Sequence, residues 1–221
     1  MKAQNSYLDA SSKLKKLKRD TLSKPNHLVT FFTSLRGYID LTEEEETELA
    51  QYLKHRTYLK GQYIGQADDI GRYQTFIVSG LARTFYLDAN GVEHVISFGI
   101  ENWWVGDLCS FVSQTPADFN VHCLEKTEVV QISYDNLEHV YRIIPKMERF
   151  FRLIIQNAYI KSQQRIVRNH SLTARERFIL FSEEHPELIQ RVPQYMIASY
   201  LGITKEFLSS IRNQIAKESK S

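Results

Sequence analysis

An α+β fold is predicted: an N-terminal jelly-roll β-barrel, a long connecting helix, and a C-terminal helical domain with a helix-turn-helix. Three observations predict it. Eight of the nine glycines lie at or before Gly106 and only Gly202 lies after it, so turn-rich β structure precedes helices. Residues 82–87 and 93–98 alternate around Asp88-Ala89-Asn90-Gly91, a hairpin signal. Pro145 opens a run to about Asn169 in which Met147, Phe151, Ile154, Ala158 and Arg165 recur at threes and fours.

The 221 residues, 43% of them hydrophobic, suffice for one large domain or two modest ones. Neither a membrane span nor a signal peptide is visible, and two cysteines make no disulfide framework, so a reduced, cytoplasmic protein is expected. Charge divides the chain into four parts. Residues 1–24 carry seven basic and two acidic residues, and read as a basic tail, disordered or helical. Residues 25–144 carry eight basic and 17 acidic residues and hold the sensor-like β-domain. Residues 145–170, the connecting helix, carry six and one; residues 171–221, the helical domain, carry seven and six. An acidic front followed by a basic connector suits a protein whose back half meets phosphate.

In order, Pro25 precedes a helix through Leu28, Phe31, Phe32 and Leu35 that stops at Gly37. Thr42 and Glu45 form a capping box for a second helix, whose acidic first turn suits the helix dipole. Between about Arg56 and Ser133 short β-rich runs are broken by glycine. The long helix follows, with one apolar stripe for the β-domain and another for a second copy of the chain. A core helix within one chain accounts for that periodicity equally well. Thr173 caps a helix holding Phe178, Ile179 and Phe181.

The last elements have the spacing of a helix-turn-helix. Pro193 suits a first turn, Ile197, Ala198 and Leu201 share a face, and Gly202 can end a helix in a left-handed residue. Thr204 then caps a helix with Phe207, Leu208, Ile211 and Ile215 inward and Lys205, Glu206, Ser209, Ser210 and Arg212 outward.

The order of these parts resembles the Crp/Fnr family of bacterial transcription regulators from about His27 onward. The resemblance rests on residues 76–83, Gly106-Asp107-Leu108, the Pro145 helix, residues 173–178 and residues 193–212. It implies a cyclic-nucleotide-binding-like sensor domain, a homodimer, and paired helices reading a palindromic operator in double-stranded DNA. RNA polymerase is a further candidate partner. By family position Lys205, Glu206, Ser209 and Ser210 face bases, and Ser210 stands where many relatives carry Arg. Thr204, Arg212 and Gln194 complete the candidate DNA-binding set, Gln194 as a phosphate contact. Lys205 suits guanine or phosphate, and Glu206 a cytosine amino group.

Cyclic-nucleotide binders of the family use Gly-Glu-Leu, an acid on the ribose, and an Arg-Ser/Thr-Ala segment on the phosphate. Gly106, Asp107, Leu108, Asn120 and His122 are the effector-pocket candidates here, but residues 106–124 contain no Lys or Arg. The stretch aligned with the phosphate anchor, residues 117–121, brings Asp118 instead. A buried phosphodiester wants a paired cation, so cyclic AMP in the standard manner is not expected and no cofactor is assigned. Cys109 and Cys123 cannot alone hold an iron–sulfur cluster and read as core residues; no histidine pair has metal spacing, and no catalytic set can be assembled. Trp103 and Trp104 read as packing residues. The reading is a DNA-binding regulator and not an enzyme. The alternative is a ligand-binding signalling module that acts through a protein partner, favoured by an acidic or apolar face on the last helix.

Overall fold

The computed structural model describes residues 25–218. The basic segment expected over residues 1–24 lies outside the described residues.

Two helices open the described chain, α1 (Asn26–Arg36) and α2 (Glu43–Ala50), the second with the Thr42–Glu45 capping box in place. Eight strands follow: β1 (Leu53–Tyr58), β2 (Tyr63–Gly65), β3 (Tyr73–Ser79), β4 (Ala82–Leu87), β5 (Glu93–Gly99), β6 (Trp104–Val105), β7 (Asn120–Cys123) and β8 (Thr127–Ser133). A short helix, α3 (Leu108–Ser113), interrupts them. They form two four-stranded antiparallel sheets, sheet A in the order β1-β8-β3-β6 and sheet B in the order β2-β7-β4-β5. This is the expected jelly-roll arrangement. The β4–β5 turn closes because Asp88 Oδ1 accepts from the N–H groups of Asn90 and Val92, with Gly91 at φ 78°. At the β3–β4 turn Gly80 adopts φ 106°, and a Cβ there would lie 2.6 Å from the Lys126 carbonyl oxygen. Only glycine fits that turn.

Six helices complete the described residues: α4 (Tyr134–Ile143), α5 (Lys146–Ser171), α6 (Ala174–Glu184), α7 (Pro186–Arg191), α8 (Gln194–Leu201) and α9 (Lys205–Glu218). The long helix α5 begins after Pro145 and ends where Leu172 turns extended. Thr173 and Glu176 make a second capping box that starts α6.

Three apolar cores hold these elements. The first joins Phe31, Phe32 and Leu35 of α1 to Phe76, Val130 and Ile132 of sheet A and to Phe150 and Phe151 of α5. Trp104 packs edge-on against Phe31 and Phe151 within it. The second lies between the sheets, from Ile77, Val129 and Val105 across to Ala82 and Val121. The third joins Phe85, Val95 and Phe98 of sheet B to Phe178 and Phe181 of α6, Leu188 of α7, Ile197 and Leu201 of α8 and Leu208 and Ile211 of α9. Helices α6–α9 are thus seated on the face of sheet B turned away from sheet A.

Two side chains differ from the expected packing. Phe207 is 52% exposed, because Leu208 and Ile211 define the inward stripe and one residue's rotation carries Phe207 off it. Cys109 is exposed while Cys123 is buried; α3 is one and a half turns long and turns Ser110 and Phe111 inward instead.

Candidate functional site

Two places combine polar chemistry with access. The first is the surface of α8 and α9. Gly202 ends α8 at φ 68°, and the Thr204 hydroxyl accepts from the Phe207 N–H at 3.2 Å to start α9. Ile197, Ala198 and Leu201 are buried against Leu208 and Ile211. That packing leaves Lys205, Glu206, Ser209 and Ser210 exposed on one surface, with Thr204 at its start and Arg212 half-buried at its edge. Gln194 is exposed at the first turn of α8. Six of the seven candidate residues thus belong to α9 and its cap, and Gln194 to the first turn of α8. Phe207 and Tyr195 are half-exposed on the same two helices, where the sequence pattern marks neither as a surface residue. Phe207 could have been found by marking the angular border of the inward stripe.

The unit carrying this surface is held by directed polar contacts as well as apolar ones. On α8 the Ser199 hydroxyl accepts from the Val95 N–H at 3.0 Å and donates to the Glu93 carbonyl at 3.1 Å, pinning the helix to edge strand β5. Arg165 of α5 donates to the Ile96 and Tyr200 carbonyls. At the end of α7, the Arg191 guanidinium grips Glu101 at 2.9 and 3.1 Å and Glu125 at 2.8 and 3.1 Å. Glu101 also accepts from the Gly80 N–H at 2.9 Å. Burial pushes the Glu101 carboxyl up, but Arg191 and the backbone N–H donors outweigh it and hold the carboxyl below its ordinary value. Two carboxylates drive the Arg191 guanidinium the other way, further into its charged form. Beneath the joint, Arg83 is 5% exposed, paired with both Glu93 oxygens and stacked over Phe85 at 4.2 Å. Trp103 packs between Lys161 and His185 at the same joint.

The second place is a cavity of about 360 Å³ lined by residues of both sheets. Its lining includes Gly106 and Asp107, together with Arg56, Tyr58, Arg72, Tyr73, Thr75 and Phe119. Of the five effector-pocket candidates, Gly106 and Asp107 line it and three do not. Leu108 faces solvent. Asn120 is buried, and its side-chain oxygen accepts from the Ala67 N–H at 3.1 Å. His122 packs against Tyr63 on the far side of β7. Burial and the Arg83 charge lower the His122 pKa, so it is a poor source of positive charge there. Asp107 caps α3 through one oxygen, accepting from Ser110 N–H at 3.0 Å, and accepts from Asp118 N–H through the other at 3.0 Å.

Residues 55–143 match the family described as the cyclic nucleotide-binding domain. The chain is 24% identical over 189 residues to the anaerobic regulatory protein of Pasteurella multocida, covering 80% of this chain and 68% of that one. Among solved structures it is similar to the c-di-GMP-responsive global regulator CLP of Xanthomonas campestris, with a TM-score of 0.67, 12% identity, and 80% and 93% of the two chains covered. FixK2 of Bradyrhizobium japonicum gives a TM-score of 0.64 at 18% identity, covering 76% and 86%.

Proposed function

We propose that this chain, similar in fold and in its relatives to regulators of the Crp/Fnr type, controls transcription by binding double-stranded DNA as a homodimer. The observation that supports this best is the free face of α9. Lys205, Glu206, Ser209 and Ser210 stand clear of the protein while Leu208 and Ile211 hold the helix by its opposite side. A helix held this way suits the major groove, with Lys205 for guanine or phosphate and Glu206 for a cytosine amino group. Phe207 beside them suits a thymine methyl, the apolar mark of that groove. Gln194 and Arg212 flank the face as backbone contacts.

The homodimer is supported by α5. Ile155, Tyr159, Ile160, Ile166 and Val167 are exposed along its outer side, Tyr159 by 65% and Val167 by 61%. Tyr159 to Ile166 and Ile160 to Val167 are heptad spacings, and Ile155 to Tyr159 is one of four, a pattern that suits a helix paired with its own copy. Two copies present two α9 helices, which suits a palindromic operator. RNA polymerase is the partner expected next to such an operator.

The sensor domain on this reading does not take cyclic AMP in the standard manner. Both Asp107 oxygens are occupied by backbone N–H groups, and residues 106–124 supply no cation. No membrane-spanning helix is found among the described residues, and we expect the protein to act in the cytoplasm.

A second reading, action through a protein partner, is favoured by one observation: Tyr195 of α8 and Phe207 of α9 both expose aromatic surface. Selection of duplexes from a random pool at fixed salt, without added ligand, separates the two. Recovery of a palindrome with half-sites about one helical turn apart supports the DNA reading. Recovery of nothing, with or without cyclic AMP, supports the protein-partner reading. Enrichment that requires cyclic AMP would overturn the effector assignment alone.

A further inference from the structure

The outer face of sheet A is covered by α1 and α5, and one end of that cover is made of titratable rings. Along β1, alternation puts Leu53, His55 and Thr57 on this face and Lys54, Arg56 and Tyr58 on the inner one. Helix α1 buries Phe31, Phe32 and Leu35 with Phe76 of β3 and with Val130 and Ile132 of β8. Strand β1 is the edge of that sheet, and the first turn of α1 reaches it through His27. The His27 and His55 rings are stacked, with centroids 4.0 Å apart and planes 8° from parallel.

One carboxylate serves both rings. Glu128 of β8 stands opposite Thr57, diagonal to His55, and its Oε2 lies 3.8 Å from His55 Nε2. Residues 26–32 of α1 carry no charged group apart from His27. Lys54 and Arg56 face the other way: Lys54 Nζ lies over the Tyr73 ring at 5.5 Å, and Arg56 donates to the Tyr58 hydroxyl at 3.4 Å. A cation on His27 also meets the positive end of the α1 dipole. Burial and the His55 ring lower the His27 pKa, with Glu128 opposing them. Neutral imidazoles stack without penalty, whereas two imidazolium rings held face to face repel and Glu128 neutralises only one.

We propose that the His27–His55 stack is a proton-operated latch on the start of α1. With the rings neutral it holds the first turn of α1 on edge strand β1, and with both rings charged that turn is released. Residues 1–24, with their seven basic residues, join the β-domain at this latch, so release acts where those cations are attached. The folded chain binds the His27 proton less readily than the unfolded chain does. The latch is therefore complete above the ordinary histidine range and is lost as pH falls through it toward the lowered value. This inference does not depend on DNA being the partner.

The test is hydrogen exchange of the full chain at pH ~7.5 and ~5, corrected for the intrinsic rate. Protection at Thr30, Phe31 and Phe32 should fall about tenfold on acidification, with the amides of β3 unchanged as the internal reference. His27→Phe keeps a ring over His55 that cannot take a proton, so protection in α1 should be the same at both pH values. His55→Phe is the second variant and should behave alike, and circular dichroism at the higher pH establishes that each is folded. Glu128→Gln should deepen the fall, because the opposing carboxylate is gone. Protection of α1 that is independent of pH in the wild type would overturn the proposal. So would an equal fall in both Phe variants, a fall shared by β3, or a fall no deeper in Glu128→Gln.

Discussion

The core beneath α1 and the core beneath α6–α9 are both apolar, yet they are closed by different means. Around Phe31, Phe76 and Phe150 the lining is aromatic on aromatic, with edge-on contacts at 5.4 Å between Phe31 and Phe76 and at 5.3 Å between Phe150 and Phe151. Around Phe98, Leu201 and Leu208 the apolar contact is framed by Arg191, Arg165 and Ser199. Area burial is non-directional, so the first core resists any route of separation. Ion pairs and hydrogen bonds depend on alignment and on salt, so the second core is a joint with a defined seating. Under the proposed function, this contrast separates a β-domain that stays folded from a helical unit whose seating can respond.

The largest effect expected is in the first core. Phe150→Ala should cost about 3–5 kcal/mol, from lost burial and the cavity left behind. Denaturant unfolding followed by tryptophan fluorescence checks it, and an unfolding midpoint close to wild type would show that this core is not the main support.

Arg191→Ala comes next and sharpens the contrast. It leaves Glu101 and Glu125 facing each other without their cation, at a cost of about 1–2 kcal/mol, reduced because both carboxylates are more than a third exposed. Hydrogen exchange should speed up in α6–α9 and not in α1. Uniform acceleration across the chain would mean that the two cores are not separable.

A similar loosening is expected on acidification. The Glu101 carboxyl is held below its ordinary value in the folded chain. Its contribution is therefore complete above the ordinary carboxylate range, and is lost as pH falls through the depressed value. Protection of the amides in α6–α9, corrected for the intrinsic exchange rate, should fall as the pH drops below the ordinary carboxylate range, and Glu101→Gln should flatten that fall. An identical pH profile in wild type and variant would remove Glu101 from the joint.

The smallest effect is at the α6 start. Thr173→Ala removes the hydroxyl that accepts from Glu176 N–H and should cost about 1 kcal/mol in thermal stability.

Local chemistry made much of this molecule legible in advance. The capping boxes at Thr42 and Thr173, the Asp88–Gly91 turn, Gly202 and the Pro145 helix are set by residues within a few positions of one another. So is the exposure of Lys205, Glu206, Ser209 and Ser210, because helical rotation assigns each residue a face. Phe207 escaped because it sits at the border of that rotation. What the sequence could not disclose depends on strand order and on domain seating. Arg56 and Arg72 are far in sequence from Gly106 and Asp107, and only the order β1-β8-β3-β6, facing sheet B, brings them to one cavity. His122 and Asn120 have the right sequence position for that cavity, but neither lines it. Arg191 meets Glu101 and Glu125, 90 and 66 residues away, only because α6–α9 rest on sheet B. Short-range hydrogen bonds and helical periodicity are encoded locally. Which charge meets which across the chain is decided by tertiary packing, where burial and strand pairing choose the neighbours.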